Sequence, residues 1–178
     1  MDIAAIIFFT GLFIVFHTYA LYPFILLIWS KSVASQSNEN KYDYYPDITL
    51  LIPGHNIGHL LDKKIENLMS IEYSGKLKYL FILDGCADDS EERLKALIKE
   101  NNKYSVGFFS NTKREGKEAA IKLAMPKVDT EIIIFSDADA ILDKNCIKLL
   151  AESIMQKGVG AVCGREIHIK TSHTGASE

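Results

Sequence analysis

The stretch EIIIFSDADA, residues 131–140, decides the fold. Three isoleucines and a phenylalanine in a row make a continuous apolar run, the mark of a strand covered on both faces. The run ends at Ser136 and is followed by two carboxylates, Asp137 and Asp139, with one alanine between them. Like charges this close raise each other's pKa unless a cation sits beside them. A buried strand that ends in this way fits a parallel sheet whose carboxyl-terminal edge holds a ligand.

Working outward, the same apolar run recurs. ITLLI (48–52) is closed by Pro53-Gly54, LKYLFIL (77–83) is stopped by Asp84-Gly85, and YSVGFF (104–109) is a third run. EIIIFS (131–136) is then the fourth strand and VGAVCGREIHI (159–169) a fifth. Helical stripes lie between them. Residues 59–70 carry Leu60, Leu61, Ile65, Leu68 and Met69 at helical spacing. Residues 88–101 turn Leu94, Leu97 and Ile98 inward, with Asp88 to Ser90 as caps; residues 115–125 end at Pro126; residues 143–156 start at a capping Asp143. Strict β-α alternation predicts an α/β fold, a mostly parallel sheet with helices on both faces.

The N-terminus is different in kind. Residues 3–30, IAAIIFFTGLFIVFHTYALYPFILLIWS, contain no Asp, Glu, Lys or Arg. As a helix they span roughly 40 Å, more than the ~30 Å hydrocarbon core of a bilayer. Pro23 is a tolerated kink in such a helix, and Tyr19, Tyr22 and Trp29 suit a membrane interface. A cleaved signal peptide would need a basic start and a shorter apolar run, whereas only Asp2 precedes this one. We therefore expect a transmembrane helix over 3–30, a polar linker over 31–47, a binding domain over 48–169 and a disordered tail over 170–178. Lys31 and Lys41 follow the helix, which places the domain on the cytosolic side.

Composition excludes other classes. A formal net charge of −3 offers no basic face for nucleic acid. The three cysteines, 86, 146 and 163, are odd in number and lack C-x-x-C spacing, which fits reduced thiols rather than zinc or a disulfide framework. The absence of G-x-G-x-x-G and of a P-loop disfavours a dinucleotide-binding protein and a P-loop enzyme.

Three strand ends carry polar groups that could make one site. Asp137 and Asp139 suit a divalent ion, Mg²⁺ or Mn²⁺, which typically takes one or two carboxylates plus substrate phosphate oxygens. Asp84 could accept hydrogen bonds from a base or ribose, with Gly85 admitting a ligand close to the backbone, or it could simply end the strand in a turn. Lys117, at a helix start, could face a phosphate or stand in solvent. His55 could stack on a base or serve the turn after the first strand. His17, His59, His168 and His173 show no ligand or catalytic spacing.

Together, ITLLIPGHN, LKYLFILDGCADDS, REGKEAAIKLAM, EIIIFSDADA and VGAVCGR resemble, in order and spacing, the family 2 glycosyltransferases. YALYPFILLIW resembles the N-terminal membrane helix of their processive and lipid-linked members. The resemblance covers residues 1 to about 168. It implies a GT-A fold, a nucleotide-sugar donor (usually a UDP-sugar), a divalent metal and inverting transfer. It also implies that His55 lies beside the base where the family has an aromatic residue, and that Asn56 matches the family directly. By the same resemblance Asp84 contacts the base, Lys117 lies near the diphosphate, and Asp137 and Asp139 form the D-x-D pair, with Asp139 the more direct metal ligand.

Departures are equally legible. Ile57 and Gly58 stand where the family has acids, Leu83 stands where it often has a first acid, and His55 replaces Tyr or Phe. After Ile169 only KTSHTGASE follows, so the acceptor half with its general base and Q-x-x-R-W-like motif is not among these residues, and no catalytic residue is assigned. Donor binding without transfer is the expectation. The competing expectation is a truncated, non-catalytic membrane module that binds nucleotide or a protein partner.

Overall fold

The computed structural model describes residues 2–32, 44–102 and 104–167. Most of the expected linker (33–43) and the whole expected tail (170–178) lie outside the described residues. The chain divides into two compact units, Met1–Lys41 and Tyr42–Glu178.

The first unit is one long apolar helix: α1 (Ile3–Phe16), a π-turn (His17–Leu21) and α2 (Tyr22–Ser32). Pro23 explains the interruption. A proline in a helix lacks an N–H and crowds the carbonyl four residues back. Here that carbonyl belongs to Tyr19, inside the π-turn, where the Tyr22 N–H donates to the His17 carbonyl, five residues back. The helix thus absorbs Pro23 by widening one turn. Phe8, Phe13, Leu27 and Trp29 are all exposed.

In the second unit β1 (Ile48–Gly54), β2 (Leu77–Asp84), β3 (Ser105–Asn111) and β4 (Ile132–Phe135) form one sheet in the order β3-β2-β1-β4. All three pairings are parallel. β1 is central, and every residue from Ile48 to Pro53 is buried. Helices α3 (Leu61–Met69), α4 (Ser90–Glu100) and α6 (Cys146–Ile154) cover one face, and α5 (Lys117–Ala124) the other. Alternate residues of the strands divide between the faces. Ile48, Leu50, Ile52, Phe81 and Leu83 pack on Leu61, Ile65, Leu68, Leu94 and Ile147; Leu51 and Ile82 pack on Ala120 and Ala124. Each buried Leu or Ile contributes about 1.5–3 kcal/mol, so the α3 face is the larger share of the core.

Two expectations change. Among the described residues the fifth strand is not formed: residues 159–167 carry no strand and are exposed throughout, and residues 168–169 lie outside them. Val159, Val162 and Ile167 are separated by Gly160 and Gly164, so the segment has little apolar side chain to bury and low strand propensity. The domain also begins before residue 48. Pro46 is buried, its carbonyl accepts the Tyr73 hydroxyl at 2.6 Å, and the Tyr45 and Tyr73 rings meet edge-on at 5.7 Å.

Candidate functional site

Parallel strands deliver their last residues to one edge, and that edge carries every candidate residue. His55 and Asn56 follow β1, Asp84 closes β2, Lys117 opens α5 after β3, and Asp137 and Asp139 follow β4.

The first two strand ends are locked together. The His55 Nδ1 donates to the Asp84 carbonyl at 2.8 Å, so that nitrogen carries a proton and the ring is tied to the end of β2. Asn56 stands at φ 53°, a left-handed conformation that asparagine tolerates. Its N–H donates to Cys86 Sγ at 3.3 Å, and its Oδ1 accepts the Ala87 N–H at 2.8 Å. Asn56 therefore spends its side-chain oxygen on the loop after β2.

Asp84 is buried, and its carboxylate faces its own chain. Oδ1 accepts the Glu115 N–H at 3.0 Å and the Asn111 amide at 3.5 Å; Oδ2 accepts the Gly116 N–H at 2.7 Å. Burial alone pushes its pKa up, but these donors, with His55 nearby, outweigh it and hold the carboxyl below the usual aspartate range. Gly85, at φ 61°, has no open space above it. A Cβ there would lie 2.7 Å from the Lys113 carbonyl carbon and 2.8 Å from Arg114 Cα. The close approach that glycine permits is made by the chain's own 113–114 backbone. Asp84 and Gly85 together seat the loop that presents Lys117.

Ile57, Gly58 and Leu83 each have a packing reason to be what they are. Ile57 and Leu83 are buried in the core. The Gly58 N–H donates to Asp88 Oδ2 at 3.1 Å, and a Cβ on Gly58 would run into the Asp88 and Asp89 carboxylates.

At the fourth strand end the chain alternates. Ser136 and Ala138 are buried, while Asp137 and Asp139 point outward. Lys117 Nζ forms an ion pair with Asp137, both side chains being more than half exposed. Such a pair is worth about 0–1 kcal/mol, so an arriving anion can open it. The Asp139 carboxylate has no hydrogen bond or ion pair among the described residues.

Beneath this turn lies a residue that the sequence pattern hid. Lys64 of α3 is 1% exposed, yet all three of its N–H groups are used. Nζ donates to Ser136 Oγ at 3.0 Å, the Asp137 carbonyl at 2.8 Å and the Ala140 carbonyl at 2.7 Å. Burial lowers its pKa to about 8, against the pull of Asp139 and Asp137 in the other direction. One turn on, Asn67 bonds Leu142 twice, Nδ2 to its carbonyl at 2.8 Å and Oδ1 from its N–H at 2.9 Å. The available signal was a lysine at position 64, three residues after Leu61 and four before Leu68, inside an otherwise apolar stripe.

The donor set fits a divalent ion of one kind. Among the described residues no three His, Cys, Asp or Glu side chains gather as a metal cage. Two outward carboxylates are instead what Mg²⁺ or Mn²⁺ uses when phosphate oxygens and water complete its shell.

A four-stranded all-parallel α/β domain with its polar residues at the carboxyl edge is GT-A-like, and solved structures share that fold. A mannosyltransferase from Pyrobaculum calidifontis, PcManGT in complex with GDP-Man and Mn²⁺, matches with a TM-score of 0.62 and 20% identity, over 65% of this chain and 34% of that one. S. aureus TarS 1-349 in complex with UDP-GlcNAc matches with a TM-score of 0.53 and 17% identity, over 61% and 32%. The pattern of glycosyl transferase family 2 matches residues 49–175, and the chain belongs to that family. It is 29% identical over 118 residues to a beta-monoglucosyldiacylglycerol synthase of Trichormus variabilis, covering 66% of this chain and 25% of that protein. It is 25% identical over 128 residues to an N-acetylglucosaminyltransferase of a Rhizobium species, covering 69% and 27%. The chain thus spans about a quarter of the length of these curated relatives.

Proposed function

We propose that the chain is the donor-binding part of a membrane-anchored family 2 glycosyltransferase. It binds a nucleotide-diphosphate sugar, a UDP-sugar in the first instance, for inverting transfer to a saccharide or lipid acceptor. The observation that carries this is the convergence of His55, Asp84, Lys117, Asp137 and Asp139 on one edge of a parallel sheet. Matches to enzymes as different as a glycolipid synthase and an N-acetylglucosaminyltransferase over the same stretch support a shared donor-binding role.

Within that site the residues divide the work. His55 offers a ring face and Nε2 beside the base, with Asn56 and Asp84 holding the surrounding loops. Lys117 exchanges Asp137 for the diphosphate. Asp137 and Asp139 would hold Mg²⁺ or Mn²⁺ together with diphosphate oxygens. When bound, the ion supplies Lewis-acid stabilisation of the charge that grows on the leaving diphosphate.

Residues 3–30 act as the anchor, the polar stretch from residue 31 as the linker, and the unit that Tyr45 and Pro46 open as the binding domain on the cytosolic side. The 28-residue helical run Ile3–Ser30, with a mean hydropathy of 2.0, supports the anchor.

The deciding measurement is titration of the full chain, in detergent, with UDP in the presence and absence of Mn²⁺. Binding is expected to strengthen with Mn²⁺, and Asp139→Ala is expected to abolish that gain. Equal affinity with and without Mn²⁺ in both forms would remove the metal site.

A further inference from the structure

We propose that Lys64 and Asn67 are positioning residues that hold the D-x-D turn from beneath, so that the metal-dependent part of nucleotide binding relies on two side chains that never touch the ligand. The inference rests on the site proposed above. It starts from a lysine where the core needs none. Replacing a buried ion by an apolar residue of similar volume often leaves stability unchanged or raised, so packing does not explain Lys64. What an apolar side chain would lack is three donors, and Lys64 spends all three on residues 136, 137 and 140.

The geometry shows what those bonds do. Ser136 continues the sheet, its N–H donating to the Leu51 carbonyl at 3.0 Å. The backbone then folds back, the Ala140 N–H reaching the Asp137 carbonyl at 3.3 Å. By drawing the carbonyls of residues 137 and 140 inward, Lys64 leaves the Asp137 and Asp139 side chains on the outer surface, with buried Ala138 between them. Asn67 lies three residues further along the same helix face, and its two bonds to Leu142 imitate one rung of a sheet. A third tie follows α3, where the Glu72 N–H donates to the Lys144 carbonyl at 2.9 Å. One helix therefore grips the turn at successive points, as partners behind metal ligands do when they fix ligand orientation.

The experiment uses the full chain in detergent as wild type, Lys64→Met and Asn67→Ala, in two arms. The first follows amide hydrogen exchange without ligand. Exchange at Ala140 and Leu142 is expected to rise about tenfold or more in the variants, while β1 and β2 are unchanged. Unchanged exchange across 136–142 in both variants would overturn the inference whatever the site binds. The second arm measures UDP affinity with and without Mn²⁺. Lys64→Met is expected to shrink the Mn²⁺-dependent gain by about tenfold, the lower range for residues behind metal ligands, with metal-free UDP affinity nearly unchanged. Equal weakening in both conditions would mark general structural support and sink the proposal. If the wild type shows no Mn²⁺-dependent gain, the site itself fails, and the first arm alone decides whether the two residues position the turn. If Lys64→Met does not fold, Asn67→Ala, which keeps the lysine, is held to the same outcomes.

Discussion

At the scale of single residues, the site is built from polar groups that answer to one another. Asp137 and Asp139 raise the question of what tolerates two adjacent carboxylates, and two of the chain's own lysines answer first. Lys117 pairs with Asp137 from outside, and Lys64 lies beneath both. Asp84 acts in the same way for the neighbouring loop, trading solvent for the Glu115 and Gly116 N–H groups. Asp84→Asn replaces an acceptor oxygen with a donor and leaves one of those N–H groups unpaired, which should cost about 1–3 kcal/mol in chemical denaturation. The pH dependence follows from the depressed pKa of the folded carboxyl. Its contribution is complete above the ordinary aspartate value of about 3.9 and falls away as acid protonates the folded carboxylate below that value. Wild type should therefore lose more stability than Asp84→Asn between pH 5 and pH 3 (approximate bounds), and parallel acid curves would contradict the role given to Asp84.

At the scale of elements, α3 and the loop after β2 do more than cover the sheet. The apolar stripe of α3 predicts the helix, and Leu61, Ile65 and Leu68 bury as expected. Its polar exceptions, Lys64 and Asn67, decide where the D-x-D turn stands. Gly85 does the equivalent work after β2, because its left-handed backbone lets residues 113 and 114 pass at contact distance. Gly85→Ala combines the left-handed penalty with overpacking against backbone, for an expected loss on the order of 2–4 kcal/mol. A shift of less than about 1 kcal/mol, the size of an ordinary surface change, would mean that the loop can move aside. The absent fifth strand belongs to this scale too. Val, Ala and Gly in VGAVCG give an apolar count without the side-chain volume that a strand must pack.

At the scale of the whole molecule, the chain is two units of opposite solvent preference. The helix over residues 3–30 exposes its large apolar side chains, whereas the α/β unit buries an apolar core around β1 and β2. Expressed in full, the chain should remain with membranes after alkaline carbonate washing, because ~20 or more apolar residues are enough to span a bilayer. Release into the supernatant with residues 3–30 intact would contradict an anchor, and loss of those residues from the mature chain would identify a signal sequence.

Periodicity by itself determined the α/β alternation, the parallel sheet and the sheet edge where polar residues collect, since the apolar spacing of each element is local. It also marked His55, Asn56, Asp84, Asp137 and Asp139, which stand just behind apolar runs, and Lys117, which stands at a helix start. Only the tertiary structure showed that Asn56 and Asp84 spend their acceptors on neighbouring loops, that Gly85 is covered by residues 113–114, and that Lys64 donates to Ser136 and to the carbonyls of Asp137 and Ala140. Those facts depend on contacts between residues that stand 27 to 76 positions apart. Spacing along one strand or helix carries no record of which distant backbone group a buried donor will meet.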